Sequence, residues 1–279
     1  MIWTVKAITK IGIAGLGAVG AWCLLLKPRR GQPGWERLDG VKYAHRGLHD
    51  ASQGIPENSM AAFRRAVEHG FGAELDVHLM ADGELAVVHD SDLTRVCGRQ
   101  AYIEDLTAAD LPDWPLMGTE ETIPLFRDVL ALFEGKTPLV IELKVERGNA
   151  AALTDAVMAA LAGWSGTYCV ESFHPGVLLR LKEKYPGVIR GQLSQDFLKA
   201  SEVNGLSLPV RFALTNLLTT AATRPDFIAY KWQDRGNPSL RLMRRLYGVH
   251  EVGWTVREAE TMDELARDGV TSIFEGFEP

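Results

Sequence analysis

The sequence predicts a (β/α)8 barrel of the TIM type, with a small insertion after strand 2 and a hydrophobic helix in front of the barrel. Short apolar runs alternate with amphipathic stretches from Val41 onward, which is typical of parallel β-α units. The chain has 279 residues, a normal length for one such barrel. Charged and polar residues follow several of the apolar runs, and a barrel places its active site at these carboxyl ends of its strands.

Residues 1–30 differ from the rest of the chain. Ile11–Leu26 contains no charged residue, and lysines and arginines flank it on both sides. As a helix it would be about 24 Å long, slightly less than a bilayer core of roughly 30 Å, a gap that flanking lysines and tryptophans can close. We therefore predict a membrane-anchor helix with its basic flank over residues 1–30 and a linker over residues 31–40. Because both flanks are basic, the side of the membrane stays open.

A glycine pattern in this segment allows another interpretation. Gly15, Gly17 and Gly20 match the dinucleotide-binding fingerprint, which needs a following helix and a second strand that ends in an acid. The chain instead continues into Lys27–Gly34, whose prolines and glycines break a helix. Small residues are also common in membrane helices, so we favour the anchor. A cleaved signal peptide fits less well, because no small-residue cleavage site follows the apolar run.

The barrel itself is predicted over residues 41–279. The strand candidates are Val41–His45, Ala73–Leu79, Leu85–His89, Leu139–Leu143, Tyr168–Phe173, Val188–Leu193, Phe227–Lys231, Val252–Val256 and Thr271–Phe274. Asp82-Gly83 is a strong hairpin signal, so the third run folds back and eight parallel strands close the barrel. Helix candidates include Ser59–His69, Leu125–Glu134, Ala150–Leu161, Pro175–Tyr185, Pro238–Tyr247 and Ala259–Asp268. Residues 92–122 form an irregular insertion.

The charge and the cysteine content of the chain argue against some classes of partner and site. The net charge is −6 and the domain contains no basic block, which argues against nucleic acid as a partner. The three cysteines are isolated and odd in number, so neither a disulfide framework nor a Cys-x-x-Cys metal site is predicted.

Carboxylates at the ends of two strands predict a metal site. Glu74 and Asp76 are two residues apart in one strand, so both side chains point to the same face. Adjacent carboxylates repel one another unless a cation lies between them, and oxygen ligands suit Mg²⁺ or Ca²⁺. Glu142 supplies a third ligand oxygen, and Lys144 supplies a fixed positive charge for a phosphate oxygen. The alternatives are a solvated polar face for the first pair and a plain ion pair for Lys144.

Two histidines are the candidate catalytic residues. His45 and His89 each end a strand candidate beside a charged residue, Arg46 and Asp90 respectively. Because histidine titrates near neutrality, two of them can act as general base and general acid on opposite sides of a phosphorus. Taken singly, each could also be a hydrogen-bonded structural residue. The remaining histidines, including His78, are interpreted as structural or surface residues.

Two further residues are candidate substrate contacts. Glu57 lies in a Pro-Glu-Asn-Ser run that opens a helix, where it either orients His45 or the substrate or belongs to a capping turn. Trp254 ends another strand candidate. It could form an apolar wall for a glycerol or alcohol group, although core packing explains it equally well.

Several short motifs together carry a family resemblance. They are Ala44–Gly47, Pro56–Ser59, Glu74–Val77, Asp82-Gly83 with Val88–Asp90, Glu142–Lys144, Ser172-Phe173 and Trp254–Val256. In this order and spacing the chain resembles the glycerophosphodiester phosphodiesterase family from about Tyr43 to the C-terminus. The resemblance implies a (β/α)8 barrel with a small insertion. It also implies hydrolysis of a glycerophosphodiester to sn-glycerol 3-phosphate and an alcohol, with one divalent cation.

The resemblance also implies roles for individual residues. Glu74, Asp76 and Glu142 would hold the metal, His45 and His89 would be the acid–base pair, and Arg46 and Lys144 would neutralise the phosphate. The glycerol 2-hydroxyl would attack phosphorus to form a cyclic phosphate that water then opens. Phe274-Glu275-Gly276 stands where family members commonly have a Thr-Asp-x-Pro-like segment, and this departure concerns the last loop and the substrate preference.

Two alternative functions stay open. A lysophospholipase D-type activity would use the same chemistry on lysophospholipids, with the anchor holding the site near the bilayer. A barrel that binds phospholipid headgroups without turnover would not need both His45 and His89, which argues against it. The expected substrate is a small glycerophosphodiester or a lysophospholipid, and no oligomeric state is predicted.

Overall fold

The computed structural model describes residues 17, 19–31, 34–200 and 205–279. The predicted membrane segment Ile11–Leu26 and the Gly15–Gly20 pattern both lie partly outside these residues. Within the described ranges, no helix combines the length and the apolar character that a bilayer crossing requires.

In the described part of the chain, nine strands form one sheet. They are β1 (Tyr43–Ala44), β2 (Gly72–Leu79), β3 (Leu85–Val87), β4 (Leu139–Leu143), β5 (Tyr168–Ser172), β6 (Arg190–Ser194), β7 (Phe227–Lys231), β8 (His250–Val256) and β9 (Val270–Phe274). All except β3 are parallel, and β1 pairs with both β2 and β9, which closes the ring. The predicted eight-stranded barrel is confirmed.

The extra strand β3 is the return arm of a hairpin. It runs antiparallel to β2, with Val77 opposite Val87 and Leu79 opposite Leu85. The turn contains Gly83 at a φ of 86°, a conformation that glycine adopts without a Cβ clash. The Asp-Gly turn therefore keeps the third strand out of the barrel, as the sequence predicts.

Helices cover the outside of the barrel. They are α1 (Met60–Glu68), α2 (Thr94–Cys97), α3 (Phe126–Phe133), α4 (Ala150–Ala160), α5 (Pro175–Lys184), α6 (Leu208–Thr215), α7 (Thr220–Thr223), α8 (Pro238–Leu242) and α9 (Ala259–Arg267). A π-helical turn, Met243–Tyr247, extends α8. The sequence does not predict α6 and α7, because the apolar residues of this region do not follow one helical face.

The barrel interior changes from apolar to polar along its strands. Tyr43, Val140, Cys169 and Val252 belong to one apolar cluster inside the barrel. Two residues farther along the same strands stand His45, Glu142, Glu171 and Trp254. Because adjacent residues of a strand face opposite sides, the intervening Ile141 and Val170 pack outward in the cluster beneath the helices. An apolar floor thus supports a polar layer at the carboxyl ends of the strands.

Residues of the predicted linker complete this floor. The Trp35 ring lies 5.2 Å from the Phe227 ring and stacks on His250 at 4.4 Å, measured between centroids. Leu38 is also buried in the same cluster as Trp35. Within the predicted linker over residues 31–40, burial of the apolar side chains of Trp35 and Leu38 therefore fixes this part of the chain to the barrel.

The chain before this floor also contacts the barrel. Arg29 pairs with Asp226 through Nε–Oδ1 and Nη2–Oδ2 distances of 2.6 and 2.5 Å. Leu26 is fully buried in a cluster that includes Ile228 on the outer side of β7. Trp22 donates from Nε1 to Ser239 Oγ at 3.2 Å. The C-terminal end of the predicted anchor therefore belongs to the outer layer of the barrel.

The insertion after the β2–β3 hairpin has its own small core. It contains α2 and two 3₁₀ turns, Ile103–Asp105 and Leu111–Asp113. Val96, Ile103 and Leu111 pack in one apolar cluster with Val88. The insertion is thus anchored beside β3, and it holds α2 next to the strand ends.

Candidate active site

Three carboxylates from two adjacent strands meet inside the carboxyl end of the barrel. Asp76 of β2 lies in register with Glu142 of β4, and Glu74 precedes Asp76 on the same face of β2. One oxygen from each residue lies within 4.8 Å of the other two, and all three residues are buried. Oxygen donors at this spacing are suited to a hard divalent cation.

Lys144 and Arg46 supply positive charge to this group. Lys144 Nζ lies 2.9 Å from Asp76 Oδ1 and 2.9 Å from Glu142 Oε1, and Arg46 Nε lies 3.5 Å from Asp76 Oδ2. Burial raises the pKa of Glu74 well above its ordinary value, and the Asp76 and Glu142 charges raise it further. Burial acts the same way on Asp76, but Lys144 and other nearby cations outweigh it and hold that pKa well below its usual range. The cluster therefore combines an acid whose pKa is lowered with one whose pKa is raised.

The loop after β1 brings Arg46 to the carboxylates. Arg46 has a φ of 54°, a left-handed conformation that costs free energy in a non-glycine residue. Its backbone N–H donates to Glu74 Oε2 at 3.2 Å. Gly47 follows at a φ of 78°, and a Cβ there would lie 2.9 Å from Ala62 of α1. The His-Arg-Gly motif is thus a tight turn that only glycine allows to pass under α1.

The Pro56–Ser59 run connects the site to α1. Asn58, at a φ of 52°, donates from Nδ2 to Asp76 Oδ2 at 2.9 Å. Ser59 Oγ accepts from the Ala62 N–H at 3.1 Å and caps the helix. The run therefore both begins α1 and contacts the carboxylate cluster.

His45 is held by a carboxylate that the sequence does not place in the site. Its Nδ1 lies 2.8 Å from Glu275 Oε2, and its Nε2 lies 3.9 Å from Glu74 Oε2. Burial lowers the pKa of His45, with the Glu275 hydrogen bond opposing it. The same hydrogen bond lowers the pKa of Glu275 to about 2. An ionised Glu275 accepts from Nδ1–H, so the unprotonated Nε2 is left on the side of the cavity.

His89 belongs to a chain of alternating charges. Its Nδ1 lies 2.6 Å from Asp90 Oδ1, and Arg95 of α2 donates to Asp90 Oδ2 at 2.5 Å. Arg95 also donates twice to Glu57, at 2.7 and 3.0 Å. Glu57 accepts from Arg46 Nη1 at 2.7 Å. Glu57 therefore orients Arg46 and does not line the polar cavity at the strand ends.

His78 has a structural environment. Its Nδ1 lies 2.6 Å from Glu104 Oε1, and its Nε2–H donates to the His89 carbonyl oxygen at 3.2 Å. The side chain is almost completely buried. His78 thus holds the backbone that carries His89.

These groups surround a polar cavity of about 260 Å³ at the carboxyl ends of the strands. Seven of the nine predicted site residues line it: His45, Arg46, Glu74, His89, Glu142, Lys144 and Trp254. The Trp254 ring lies edge-to-face on Phe173, with centroids 5.7 Å apart, and gives the cavity an apolar wall. Lys231 and Arg257, which the sequence does not place in the site, add positive charge to the lining.

Glu171 is a fourth buried carboxylate in this cavity. It lies in register with Glu142, and neither of its oxygens has a hydrogen-bond partner among the described residues. Burial raises its pKa well above the ordinary value, and the charge of Glu142 adds to the shift. The strand-end position of Glu171 is visible in the sequence, but spacing alone assigns it no role.

A second, larger cavity opens beside the first. It has a volume of about 630 Å³ and shares His89, Glu142, Lys144 and Phe173 with the polar cavity. Much of the remaining lining is apolar and includes Phe197, Leu206, Val210 and Leu214. An apolar space joined to a charged one suits a ligand with a polar head and a hydrocarbon chain.

The fold and the site define a class of protein: a (β/α)8-barrel enzyme that acts on phosphate esters. The family model described as "Glycerophosphoryl diester phosphodiesterase family" matches residues 45–276, and the chain belongs to this family. It is an enzyme that hydrolyses phosphoric diesters, of the glycerophosphodiester phosphodiesterase type.

Relatives and solved structures agree with this assignment. A glycerophosphodiester phosphodiesterase of Caldanaerobacter subterraneus subsp. tengcongensis is 29% identical over 240 residues, which is 82% of this chain and 91% of the relative. A lysophospholipase D of Rattus norvegicus is 37% identical over 102 residues, 32% of either chain. The crystal structure of a Thermotoga maritima glycerophosphodiester phosphodiesterase superposes with a TM-score of 0.63 at 26% identity, covering 84% of this chain and 94% of that one.

Replacing Lys144 with Met should destabilise the fold and change its pH dependence. The variant leaves Asp76 and Glu142 buried without their shared cation, a loss of roughly 3–5 kcal/mol near neutral pH. Their pKa values then rise in the folded state, so the folded protein binds more protons than the unfolded one. The deficit should therefore shrink as the pH falls toward about 5. Urea unfolding in EDTA across this pH range measures the effect.

The matched control is Lys184→Met. The Lys184–Asp155 pair, at 3.4 Å, is half exposed, and such pairs contribute little to stability. A Lys144→Met variant that is as stable as the native protein, or whose deficit does not change with pH, would contradict this account of the cluster.

Proposed function

We propose that the protein hydrolyses glycerophosphodiesters to sn-glycerol 3-phosphate and an alcohol, with one bound divalent cation, His45 as general base and His89 as general acid. The observation that carries the proposal is the buried cluster of Glu74, Asp76 and Glu142. Both histidines line the same cavity as Glu74 and Glu142 of this cluster.

The donor set fits Mg²⁺ or Ca²⁺. Glu74, Asp76 and Glu142 would hold the ion through carboxylate oxygens, which hard cations prefer. Burial raises the pKa of Glu142 despite the opposing charge of Lys144, so the resident cations do not balance the acids. A bound divalent ion would supply the missing charge and stabilise negative charge that develops on the phosphoryl oxygens. Arg46 and Lys144, also in the cavity lining, are placed to neutralise the phosphate.

The two histidines have different partners, which suits opposite roles. His45 gives Nδ1–H to Glu275, so its neutral ring can accept a proton at Nε2. Burial, which lowers the pKa of His45, favours this neutral form. The His89 ring is oriented by Asp90 through Nδ1, and its Nε2 can donate a proton to a leaving oxygen.

The proposed reaction has two steps. His45 takes the proton of the glycerol 2-hydroxyl while its oxygen attacks phosphorus, the bond from phosphorus to the alcohol oxygen breaks, and His89 protonates that oxygen. A cyclic phosphate results. His89 then takes a proton from a water that attacks phosphorus, the bond to the 2-oxygen breaks, and His45 returns its proton there, which yields sn-glycerol 3-phosphate.

Removal of divalent metal should abolish turnover of glycerophosphocholine, and Mg²⁺ or Ca²⁺ should restore it. Glu142→Gln should weaken metal binding at least about tenfold, because it removes a charged ligand. Since the metal-free site raises the pKa values of Glu74 and Glu142, binding should release protons and tighten as the pH rises. Calorimetric titration in two buffers of different ionisation enthalpy measures both effects.

The control for this experiment is Glu183→Gln on the outer helix α5, an exposed carboxylate whose loss should leave metal binding unchanged. Full turnover in the presence of a chelator would overturn the metal requirement. An unchanged metal affinity in Glu142→Gln would remove that residue from the ligand set.

His45→Ala and His89→Ala should each lower kcat by about 10²–10⁴-fold while the fold is preserved. The two variants should differ in the single-turnover release of p-nitrophenol from a glycerol phosphodiester of p-nitrophenol, because this leaving group needs no proton. His89→Ala should retain most of the native rate of that first step, and His45→Ala should not. In the native protein the acidic limb of kcat/KM should have its midpoint below 6.5, since burial lowers the pKa of His45 from that value.

His69→Ala, at the exposed end of α1, is the matched control and should keep full activity. Near-normal turnover of glycerophosphocholine in His45→Ala or in His89→Ala would refute the catalytic role of the histidine replaced. If His89→Ala slows release of p-nitrophenol as much as it slows turnover of glycerophosphocholine, the assignment of His89 as the general acid is wrong.

A second candidate substrate is a lysophospholipid, and the apolar cavity of about 630 Å³ favours it. This cavity shares His89 and Lys144 with the polar one, so a substrate with its phosphate at the polar site could extend a hydrocarbon chain into it. The similarity to a lysophospholipase D, although confined to 102 residues, is consistent with this possibility.

Filling the apolar cavity tests the second candidate. Ala213→Phe adds a ring to the cavity lining and should raise KM for lysophosphatidylcholine at least about tenfold, while glycerophosphocholine kinetics stay unchanged. Ala222→Phe, at an exposed position of α7, is the matched control. If the native protein does not turn over lysophosphatidylcholine, or if Ala213→Phe raises KM equally for both substrates, the proposal that this cavity binds a hydrocarbon chain is wrong.

A further inference from the structure

Four apolar side chains are exposed on one short stretch of the surface. They are Leu206, Leu208, Val210 and Phe212, with exposed fractions of 39%, 68%, 42% and 46%. We call this stretch the α6 rim. Single exposed apolar residues are common, but a contiguous group of large ones marks a binding surface.

The α6 rim lies at the mouth of the apolar cavity. Leu206, which precedes α6, lines that cavity together with Val210, Ala213 and Leu214 of α6. Leu208 and Phe212 are absent from the lining, so they face the surface beside it. The rim therefore borders a passage that leads to His89 and Lys144 and through them to the polar site.

The N-terminal chain reaches the same place. Arg29 pairs with Asp226, which precedes β7, whereas Trp22 bonds to Ser239, which follows β7 at the start of α8. Followed backward from Arg29 to Trp22, the chain thus passes along β7 from its amino end to its carboxyl end, the catalytic end of the barrel. There the Trp22 ring meets Phe212 of the rim edge-on, with centroids 6.4 Å apart.

The residues before this contact are apolar in sequence. Val19 is 60% exposed, and no charged residue occurs between Lys10 and Lys27. Among the described residues, Val19 and Trp22 therefore belong to an uncharged stretch of sequence, and its Trp22 lies next to the exposed rim.

We propose that the α6 rim docks on a lipid surface, with the carboxyl ends of the barrel strands turned toward that surface. A lipid surface is the occupant that accounts for this arrangement, because it can cover the exposed side chains of the rim and Val19 and supply a ligand with one hydrocarbon chain to the cavity that the rim borders. The delivery of such a substrate rests on the proposed function, whereas lipid binding itself does not.

Flotation of the full chain with phosphatidylcholine vesicles tests the docking. The native protein should float with the vesicles, and the double variant Leu208→Asp/Phe212→Asp should show a bound fraction at least about fivefold lower. The matched control is Leu246→Asp, since Leu246 is 50% exposed and borders a cavity at the amino end of the barrel. This control should float like the native protein.

Activity measured in parallel separates the two proposals. The double variant should hydrolyse soluble glycerophosphocholine at the native rate, and it should lose activity only on lysophosphatidylcholine embedded in vesicles. Absence of glycerophosphocholine turnover in the native protein would defeat the proposed function without affecting the flotation result. Equal flotation of native protein and double variant, or no flotation of either, would overturn the docking.

Two other occupants of the rim give different results. If the chain's own N-terminal residues cover the rim, the double variant should unfold at a clearly lower temperature than the native protein and the native protein should not float. If a second copy covers it, light scattering should show a native dimer that the double variant converts to a monomer. Either result would overturn docking on lipid.

Discussion

The balance of buried charge at the carboxyl ends of β2, β4 and β5 is the constraint on which the site depends. Two unit charges 4.8 Å apart at an effective dielectric constant of about 20 interact with roughly 3–4 kcal/mol. Glu74, Asp76 and Glu142 therefore cannot all be ionised unless cations lie among them. Lys144 meets two of the three, and Arg46 reaches the cluster only through a strained left-handed turn. The unfavourable free energy of this arrangement is offset by the apolar packing of the floor and of the helices around it. The site is in turn predisposed to bind further positive charge.

The same constraint explains why each histidine has its own acid. A histidine beside buried carboxylates would be drawn toward them unless its ring were held from the other side. Glu275 holds His45 and Asp90 holds His89, each through Nδ1. The partners differ in their own neighbours, because Asp90 is tied through Arg95 to the ion-pair chain. Two chemically identical side chains are thus given different environments, as a reaction with one base and one acid requires.

Most of the fold and the centre of the site follow from local patterns in the sequence. The period-two spacing of Glu74 and Asp76 determines their common face, and Asp82-Gly83 reduces nine strand candidates to eight. The contacts of long side chains that reach the site from other elements cannot be predicted from such patterns. Arg95 comes from an insertion helix of four residues and Glu275 from the end of the chain, and no spacing rule connects them to a histidine. The packing of Trp35 under the barrel is also a tertiary effect, since its sequence context is that of a linker.

The helices that follow β6 and β7 explain why the N-terminal chain has a place in the barrel. In this part of the chain α6, α7 and α8 are short, and they leave part of the outer face of β7 open. Leu26 fills that space in the cluster with Ile228, so the domain boundary predicted at residue 30 cuts through a packed contact. This segment runs along the outer layer from Trp22 at the catalytic end to Arg29 at the amino end. Trp22 is consequently held toward the catalytic end of the barrel, so the packing of Leu26 relates the path of the described N-terminal residues to the position of the active site.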